Sequence, residues 1–358
     1  MKSTNVFLHL LLLGILACGS TLQAQGLNLR LGKALEIGRE DLLFGSIQAV
    51  CEDEAGNGYV VDQLEHKVYV FSRDGRLLDS FGQQGQGPGD FQRPHRISLT
   101  PEGQLAVADE MYTVSFLKRD GTFLARVKLE TGLTPGYVGE DRFYAWRWIP
   151  EGRQQILLDR EGNILETFHT VSRDRFSVSA PDQSGRQVMF NFGRPSFSPA
   201  LVYAQNGGLT ALAVSDTYRI QLLDGKGESQ AVLTRDLGAP SLSRREREHF
   251  MSEFREFGKM RGWPEGVVRD IIKQLPRTKV FFDHILLSPT HVFVFRIPAD
   301  ITAEGSAMAV DVFSTAGPYM GTVSLPERPL HVSATRMYFE RSDADGHVWL
   351  AVRGYSLE

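Results

Sequence analysis

Ser72-Arg73-Asp74-Gly75-Arg76-Leu77-Leu78 returns as Lys118-Arg119-Asp120-Gly121-Thr122-Phe123-Leu124, and again as Asp159-Arg160-Glu161-Gly162-Asn163-Ile164-Leu165. Each copy sets a polar pair and a glycine between two apolar runs. That is the signal of a β-hairpin, because glycine accepts the positive φ such a turn requires. Looser copies follow at Leu223-Asp224-Gly225-Lys226-Gly227 and Ser314-Thr315-Ala316-Gly317. A second turn alternates with the first, at Ala55-Gly56-Asn57-Gly58, Pro101-Glu102-Gly103, Gly139-Glu140-Asp141, Gln205-Asn206-Gly207-Gly208 and Ser288-Pro289-Thr290. After the second turn come short runs such as Tyr59-Val60-Val61, Leu105-Ala106-Val107 and Val292-Phe293-Val294, whose β-branched, aromatic and small apolar residues suit a strand.

Two alternating turns give a unit of four antiparallel strands, A to D, repeating about every 40–50 residues, which is the period of a propeller blade. Six units begin near Ile47, Arg96, Tyr137, Pro199, Ile285 and Val332. The fold expected is therefore all-β, a six-bladed β-propeller over 27–358. The last unit runs out of chain after Leu350-Ala351-Val352 and lacks a fourth strand. Leu27-Asn28-Leu29-Arg30-Leu31 alternates apolar and polar residues ahead of the first blade. It is expected to supply that strand, close the ring and remove two exposed sheet edges.

Phe81-Gly82-Gln83-Gln84-Gly85-Gln86-Gly87-Pro88-Gly89-Asp90-Phe91, followed by Pro94-His95 and Leu105-Ala106-Val107-Ala108-Asp109, resembles the NHL repeat. The chain as a whole is similar to exported bacterial six-bladed propellers of the NHL and TolB-like group. The resemblance is closest in the first two blades and weaker from the fourth onward. It implies a fold more than a function, because function belongs to sites placed on folds.

Composition limits the remaining classes. The 358 residues are 42% hydrophobic and 23% charged, which fits a globular chain. The formal charge of −4 argues against a nucleic-acid binder. Residues 1–25 read as a secretory signal: Lys2, an apolar run from Val6 to Ala17, then small and polar residues. Cleavage after Ala24 is one reading. The other is a lipoprotein signal over 1–17, with Cys18 of Leu16-Ala17-Cys18-Gly19 carrying lipid. Either way the expected location is the periplasm, the outer membrane by a lipid anchor, or the medium, and the expected state is a monomer. Cys51 then stands alone, in an apolar strand, and reads as a buried thiol.

Residues 241–278 interrupt the repeat with a helical pattern. Ser243 and Glu246 form a capping box, Phe250, Phe254 and Phe257 make one stripe, and Val267, Val268, Ile271, Ile272 and Leu275 make another. This is a helical hairpin in the connection between blades 4 and 5, either a clamp on the propeller or a lid over its channel.

Connections B–C and D–A of every blade lie on one face of a propeller. Residues at the ends of strands B and the starts of strands A therefore gather there. Hand alignment brings Asp62, Asp109 and Asp216 to strand B ends in blades 1, 2 and 4, and Arg147, Arg296 and Arg341 to the same place in blades 3, 5 and 6. These six are candidate ligand-binding residues, although an Asp there also serves to tie down a loop. The Arg side chains suit a carboxylate or phosphate. Trp146 and Trp148 beside Arg147 suggest a sugar or peptide platform, with at most one of them expected on the arginine's face.

His95, His284 and His331 stand at strand A starts and are candidate ligands for a divalent metal, zinc or calcium. Here the NHL resemblance extends to peptidyl-hydroxyglycine amidating lyase, a six-bladed propeller that holds zinc through histidines in this position. Pro94-His95 fits that pattern, Pro329-Leu330-His331 fits it loosely, and His284 follows Asp283 instead. There is no Gly-x-Ser-x-Gly elbow, phosphate loop, dinucleotide fingerprint or His-Glu-x-x-His. The favoured expectation is a non-catalytic propeller that binds a protein, peptide or glycan at the cell envelope through its top face and channel. The alternative is a metal-dependent lyase or hydrolase at the channel mouth.

Overall fold

The computed structural model describes residues 26–40, 42–172, 177–181, 184–191, 195, 197–303 and 305–358. The first strand, β1 (Leu29–Ile37), belongs to the last blade. Blade 1 is β2 (Ile47–Glu52), β3 (Gly58–Asp62), β4 (Lys67–Phe71) and β5 (Leu77–Phe81). Blade 2 is β6 (Pro94–Leu99), β7 (Leu105–Asp109), β8 (Thr113–Leu117) and β9 (Phe123–Lys128). Blade 3 is β10 (Leu133–Gly139), β11 (Arg142–Ile149), β12 (Gly152–Leu158) and β13 (Ile164–Ser172), followed by a hairpin of β14 (Ser177–Pro181) and β15 (Gln187–Asn191). Blade 4 is β16 (Leu201–Asn206), β17 (Leu209–Val214), β18 (Arg219–Leu223) and β19 (Ser229–Thr234). Helices α1 (Arg244–Met260) and α2 (Glu265–Lys273) intervene. Blade 5 is β20 (Phe282–Leu287), β21 (His291–Arg296), β22 (Met308–Ser314) and β23 (Tyr319–Leu325). Blade 6 is β24 (His331–Val332), β25 (Arg336–Ser342) and β26 (Val348–Leu357). Each blade is a four-stranded antiparallel sheet, and the hairpin glycines Gly75, Gly121 and Gly162 all take φ between 82° and 87°.

The sixth sheet has the order β1-β26-β25-β24, so the N-terminal strand is its outer edge. Leu29 pairs with Leu357 and Ile37 with Leu350, and Asn28 and Glu358 exchange two further backbone hydrogen bonds. The alternation read in the sequence has its cause here. Leu27, Leu29 and Leu31 pack on the cluster between blades 5 and 6, around Phe293, Phe339 and Val310. Ring closure is reinforced between blades 6 and 1, where Arg336 Nε donates to Glu52 at 2.9 Å and the Tyr338 hydroxyl donates to the same carboxylate.

The core is distributed rather than single. Apolar clusters fill the junctions of blades 1–2, 2–3, 3–4, 4–5, 5–6 and 6–1. A further cluster stands outside the ring, formed by Phe197, Phe254, Val267, Ile271 and Leu275 with Val178, Ala180 and Phe190. The helical insert thus packs on the β14–β15 hairpin, a second insert that the turn pattern does not announce. Ser243 caps α1 as its sequence requires. Its hydroxyl accepts from the Glu246 N–H at 3.2 Å, and Glu246 accepts from the Ser243 N–H at 2.7 Å.

Glu246 is also the anchor of the insert. Lys279 Nζ, itself 4% exposed, donates to Glu246 at 2.6 Å and to the carbonyls of Pro298 and Ala299 at 3.1 and 2.6 Å. Ile301 N–H donates to the same carboxylate at 3.0 Å. Burial alone would raise the Glu246 pKa, but Lys279, Ile301 and the Ser243 cap outweigh it and hold the carboxyl below its ordinary value. No residue of 241–278 lines the central cavity; the insert packs on the β14–β15 hairpin and is tied through Glu246 to Lys279 and Ile301.

Candidate functional site in the central channel

Two polar systems meet on the top face, and they differ in how fully they are used. The first is the rim. Asp62, fully buried, accepts from Gly45 N–H at 2.7 Å, Ser46 N–H at 2.9 Å, Leu64 N–H at 3.1 Å and Glu65 N–H at 3.2 Å. Asp109 accepts from Gln92 N–H at 2.9 Å and Arg93 N–H at 2.6 Å. Each carboxylate ties the chain entering its blade to the end of strand B. In blade 4 that place belongs to Ser215, whose hydroxyl accepts from Ala200 N–H at 2.9 Å. Asp216 lies one residue further on, exposed, so the hand alignment slips by one position there.

The arginines of the rim divide in the same way. Arg147 donates twice to Gln154 Oε1, at 3.0 and 2.7 Å. Arg341 grips the Glu327 carboxylate with both terminal nitrogens. Arg296 makes no hydrogen bond or ion pair among the described residues and borders a cleft of about 630 Å³ beside Lys279 and Pro298. Trp146 and Trp148 share a face, 5.5 Å apart, but both lie opposite to Arg147. The guanidinium that stacks on them, at 4.8 and 4.5 Å, is that of Arg153. None of the six rim candidates lines the central cavity.

The second system is the channel. A cavity of about 240 Å³ is walled by the inner strands β2, β6, β16 and β20 and by Leu330 and His331. All three candidate histidines reach this wall. They do not form a ligand set: among the described residues no group of three His, Cys, Asp or Glu side chains is placed to hold a metal ion. Strand register explains it. Pro94 faces Asp109 and Arg96 faces Ala108, so His95 sits in a bulge. In blade 5, Phe282 faces Arg296 and His284 faces Phe295, so the bulged residue is Asp283, which pairs with Arg328 at 2.9 Å. His284 is therefore the counterpart of Arg96, not of His95. The zinc or calcium expectation does not fit these residues, and neither does the three-histidine ring.

The channel imidazoles are neutral. Burial lowers His284 and His331 to about 4, with Arg328 adding to the effect on His284. Burial, then the neighbouring Arg96, lowers His95 as well, against the pull of the Arg93 carbonyl. That carbonyl lies 3.3 Å from His95 Nδ1, which places the proton on Nδ1 and leaves Nε2 as an acceptor. Cys51, on the same wall, is a buried free thiol pushed up by burial and then by Asp53, which disfavours the thiolate.

Three polar atoms around this cavity are buried and have no partner: His95 Nε2, the Tyr203 hydroxyl and Gln205 Oε1. Beside them Arg96 lies over the Tyr203 ring at 4.5 Å and donates only to the Thr134 carbonyl, at 3.3 Å. Among the described residues no carboxylate is within ion-pair distance of Arg96. Arg96 is half-buried on the cavity wall, and desolvation pulls it down to about 10. Sequence reasoning missed Arg96, Tyr203 and Gln205. The one signal available was that inner strands of a propeller flank its axis, which makes any polar residue in a strand A a candidate.

Residues 35–150 match a family described as a 6-bladed beta-propeller (DUF5128), a stretch that holds blades 1 and 2 and the first half of blade 3. Among solved structures, a member of the duf4221 family from Bacteroides vulgatus superposes with TM-score 0.56 at 9% identity, over 94% of this chain and 99% of that one. A Bacteroides fragilis protein assigned as exported superposes with TM-score 0.51 at 12% identity, over 91% and 95%. At these identities the likeness shows the fold alone. Virginiamycin B lyase from Staphylococcus aureus is more distant, with TM-score 0.40 at 8% identity over 90% and 99%, and carries no argument about chemistry. No curated protein matches the chain in sequence.

Proposed function

We propose that this chain is an exported, non-catalytic binding propeller whose site is the central channel. The observation that carries this reading is a cavity lined by Arg96, which has no carboxylate partner among the described residues, and by His95 and Tyr203, each of which keeps a buried polar atom without a partner. A buried polar atom without a partner costs about 1–3 kcal/mol. Two such costs beside one space are offset when a ligand supplies the missing bonds. The cavity is smaller than the roughly 300–1,000 Å³ of drug-sized sites, so the ligand is small. The rim, with its hydrogen bonds largely spent on its own loops, supports the site rather than forming it.

Thermal-shift screening of the full chain against small metabolites tests this. Ser98 lines the cavity, and Ser98→Phe fills it. Hits are expected to lose their shift in Ser98→Phe and to weaken in Tyr203→Phe; hits that survive the filled channel refute the site. Export rests on the leader-like residues 1–25, which lie outside the described residues, as does Cys18. No helix among the described residues is long and apolar enough to cross a membrane. Intact mass of the protein from cell fractions is expected to show a chain starting at Gln25 or a lipidated Cys18. A full-length chain confined to the cytosol overturns export.

A further inference from the structure

We infer that the channel ligand is a small organic acid that carries hydroxyl or amino hydrogens, with its carboxylate held by Arg96 and Tyr203. This deepens the channel reading and rests on it. The cavity presents a divided chemistry. On one side is a cation without a counter-ion, Arg96, which uses one of its five N–H donors on Thr134 and stacks on Tyr203, whose hydroxyl is free to donate. On the other side is an acceptor without a donor, His95 Nε2. The Gln205 amide is turned away from the cavity: Nε2 donates to the Tyr137 carbonyl at 3.4 Å and to Thr210 Oγ1 at 3.3 Å, and Oε1 packs against Gly136.

Each feature excludes a class of ligand. A half-buried guanidinium with no carboxylate partner disfavours a cation and favours an anion. Neutral imidazoles add no second positive charge, so one unit of negative charge is balanced and two are not. The unpartnered His95 Nε2 requires a donor from the ligand, which a hydroxyl or amino group beside the carboxylate supplies. The size of the cavity limits the ligand to roughly a monosaccharide or an amino acid. Glu52 also borders the cavity, but Arg336 and Tyr338 already occupy its carboxylate, so it does not neutralise Arg96.

Isothermal titration of the full chain with D-glucuronate, D-gluconate, D-glucose and inorganic phosphate tests the assignment. At least one of the two acids is expected to bind more tightly than glucose and phosphate. Arg96→Gln is expected to weaken that acid roughly tenfold or more, and Arg96→Lys to restore part of the loss. Circular dichroism checks that each variant is folded, and the lysine variant keeps the test valid if the glutamine variant is not. Glucose binding as well as the acids, or an acid insensitive to Arg96→Gln, overturns the inference while leaving the channel site standing if Ser98→Phe still abolishes binding. Phosphate binding more tightly than both acids overturns the carboxylate assignment. Failure of both acids to bind the unaltered chain overturns it too. Binding unaffected by Ser98→Phe instead refutes the channel reading beneath it.

Discussion

The rim and the channel of this propeller are built from the same strands, and they treat polar groups in opposite ways. At the rim Asp62 accepts four backbone N–H groups and Asp109 two, so both carboxylates are committed to their own loops. In the channel Tyr203, Gln205 and His95 keep buried atoms idle, and Arg96 has no counter-charge. A satisfied carboxylate holds a loop, while an unsatisfied group is a standing cost that a ligand can relieve. Position on the binding face is therefore a poor guide to function here, and hydrogen-bond satisfaction is a better one.

That contrast can be tested at several scales. The largest effect is expected at ring closure, which neither region controls. Removing residues 26–37 strips β26 of its partner and uncovers the Phe293–Phe339 cluster. The loss is expected to be comparable with the whole stability of a domain, about 5–15 kcal/mol, and urea unfolding should lose its cooperativity. Unchanged unfolding would mean that the ring is closed by the Glu52–Arg336 contact alone.

Next comes the buried ion pair of the insert. Lys279→Met leaves the fully buried Glu246 without its cation and is expected to cost about 3–5 kcal/mol by denaturant titration. It also revises the simplest expectation for the insert. Deleting 241–278 removes no blade strand, yet it leaves Lys279 buried without Glu246. The deletion is therefore expected to be tolerated better together with Lys279→Met than alone.

The comparison of rim and channel is sharpest in a matched pair. Asp62→Ala frees several buried N–H groups and is expected to cost about 3 kcal/mol. Tyr203→Phe removes an unpartnered hydroxyl and is expected to change stability by less than about 0.5 kcal/mol, or to raise it, while weakening ligand binding. Equal losses in both variants would erase the distinction between the two regions.

A further effect is one of pH. The ordinary histidine value is 6.5, and folding lowers His284 and His331 to about 4. Above 6.5 both states are neutral and nothing is lost. Between 6.5 and about 4 the unfolded chain binds protons that the folded chain refuses, so stability falls as pH falls. The decline in urea midpoint over that window is expected to shrink in His331→Gln. Glu246 acts in a lower window, because its depressed pKa gives stability that is present above its unfolded value of 4.5 and lost on further acidification.

Much of this architecture was written locally. A glycine between apolar runs specifies a hairpin wherever it occurs, so Gly75, Gly121 and Gly162 located their turns without tertiary help. The capping box at Ser243 and the stripe through Phe254 specified the helical insert by short-range rules. The Leu27–Leu31 alternation identified a strand with one buried face. The β14–β15 hairpin escaped, because its apolar residues pack on the insert and do not follow the blade period.

The site was less legible. His95, His284 and His331 line one cavity, but a one-residue bulge at Pro94–Arg96 puts His95 out of step with His284. Asp216 was chosen where Ser215 does the work, again by one residue. Strand period is 2, so one residue is the difference between facing the cavity and facing a neighbour. The sequence by itself determined the number of blades, the turns, the closing strand and the place of the insert, because each follows from residues near one another in the chain. Only the tertiary structure decided which polar groups were satisfied, because the partners of Asp62, Glu246 and Arg96 come from separate segments brought together by closure of the ring.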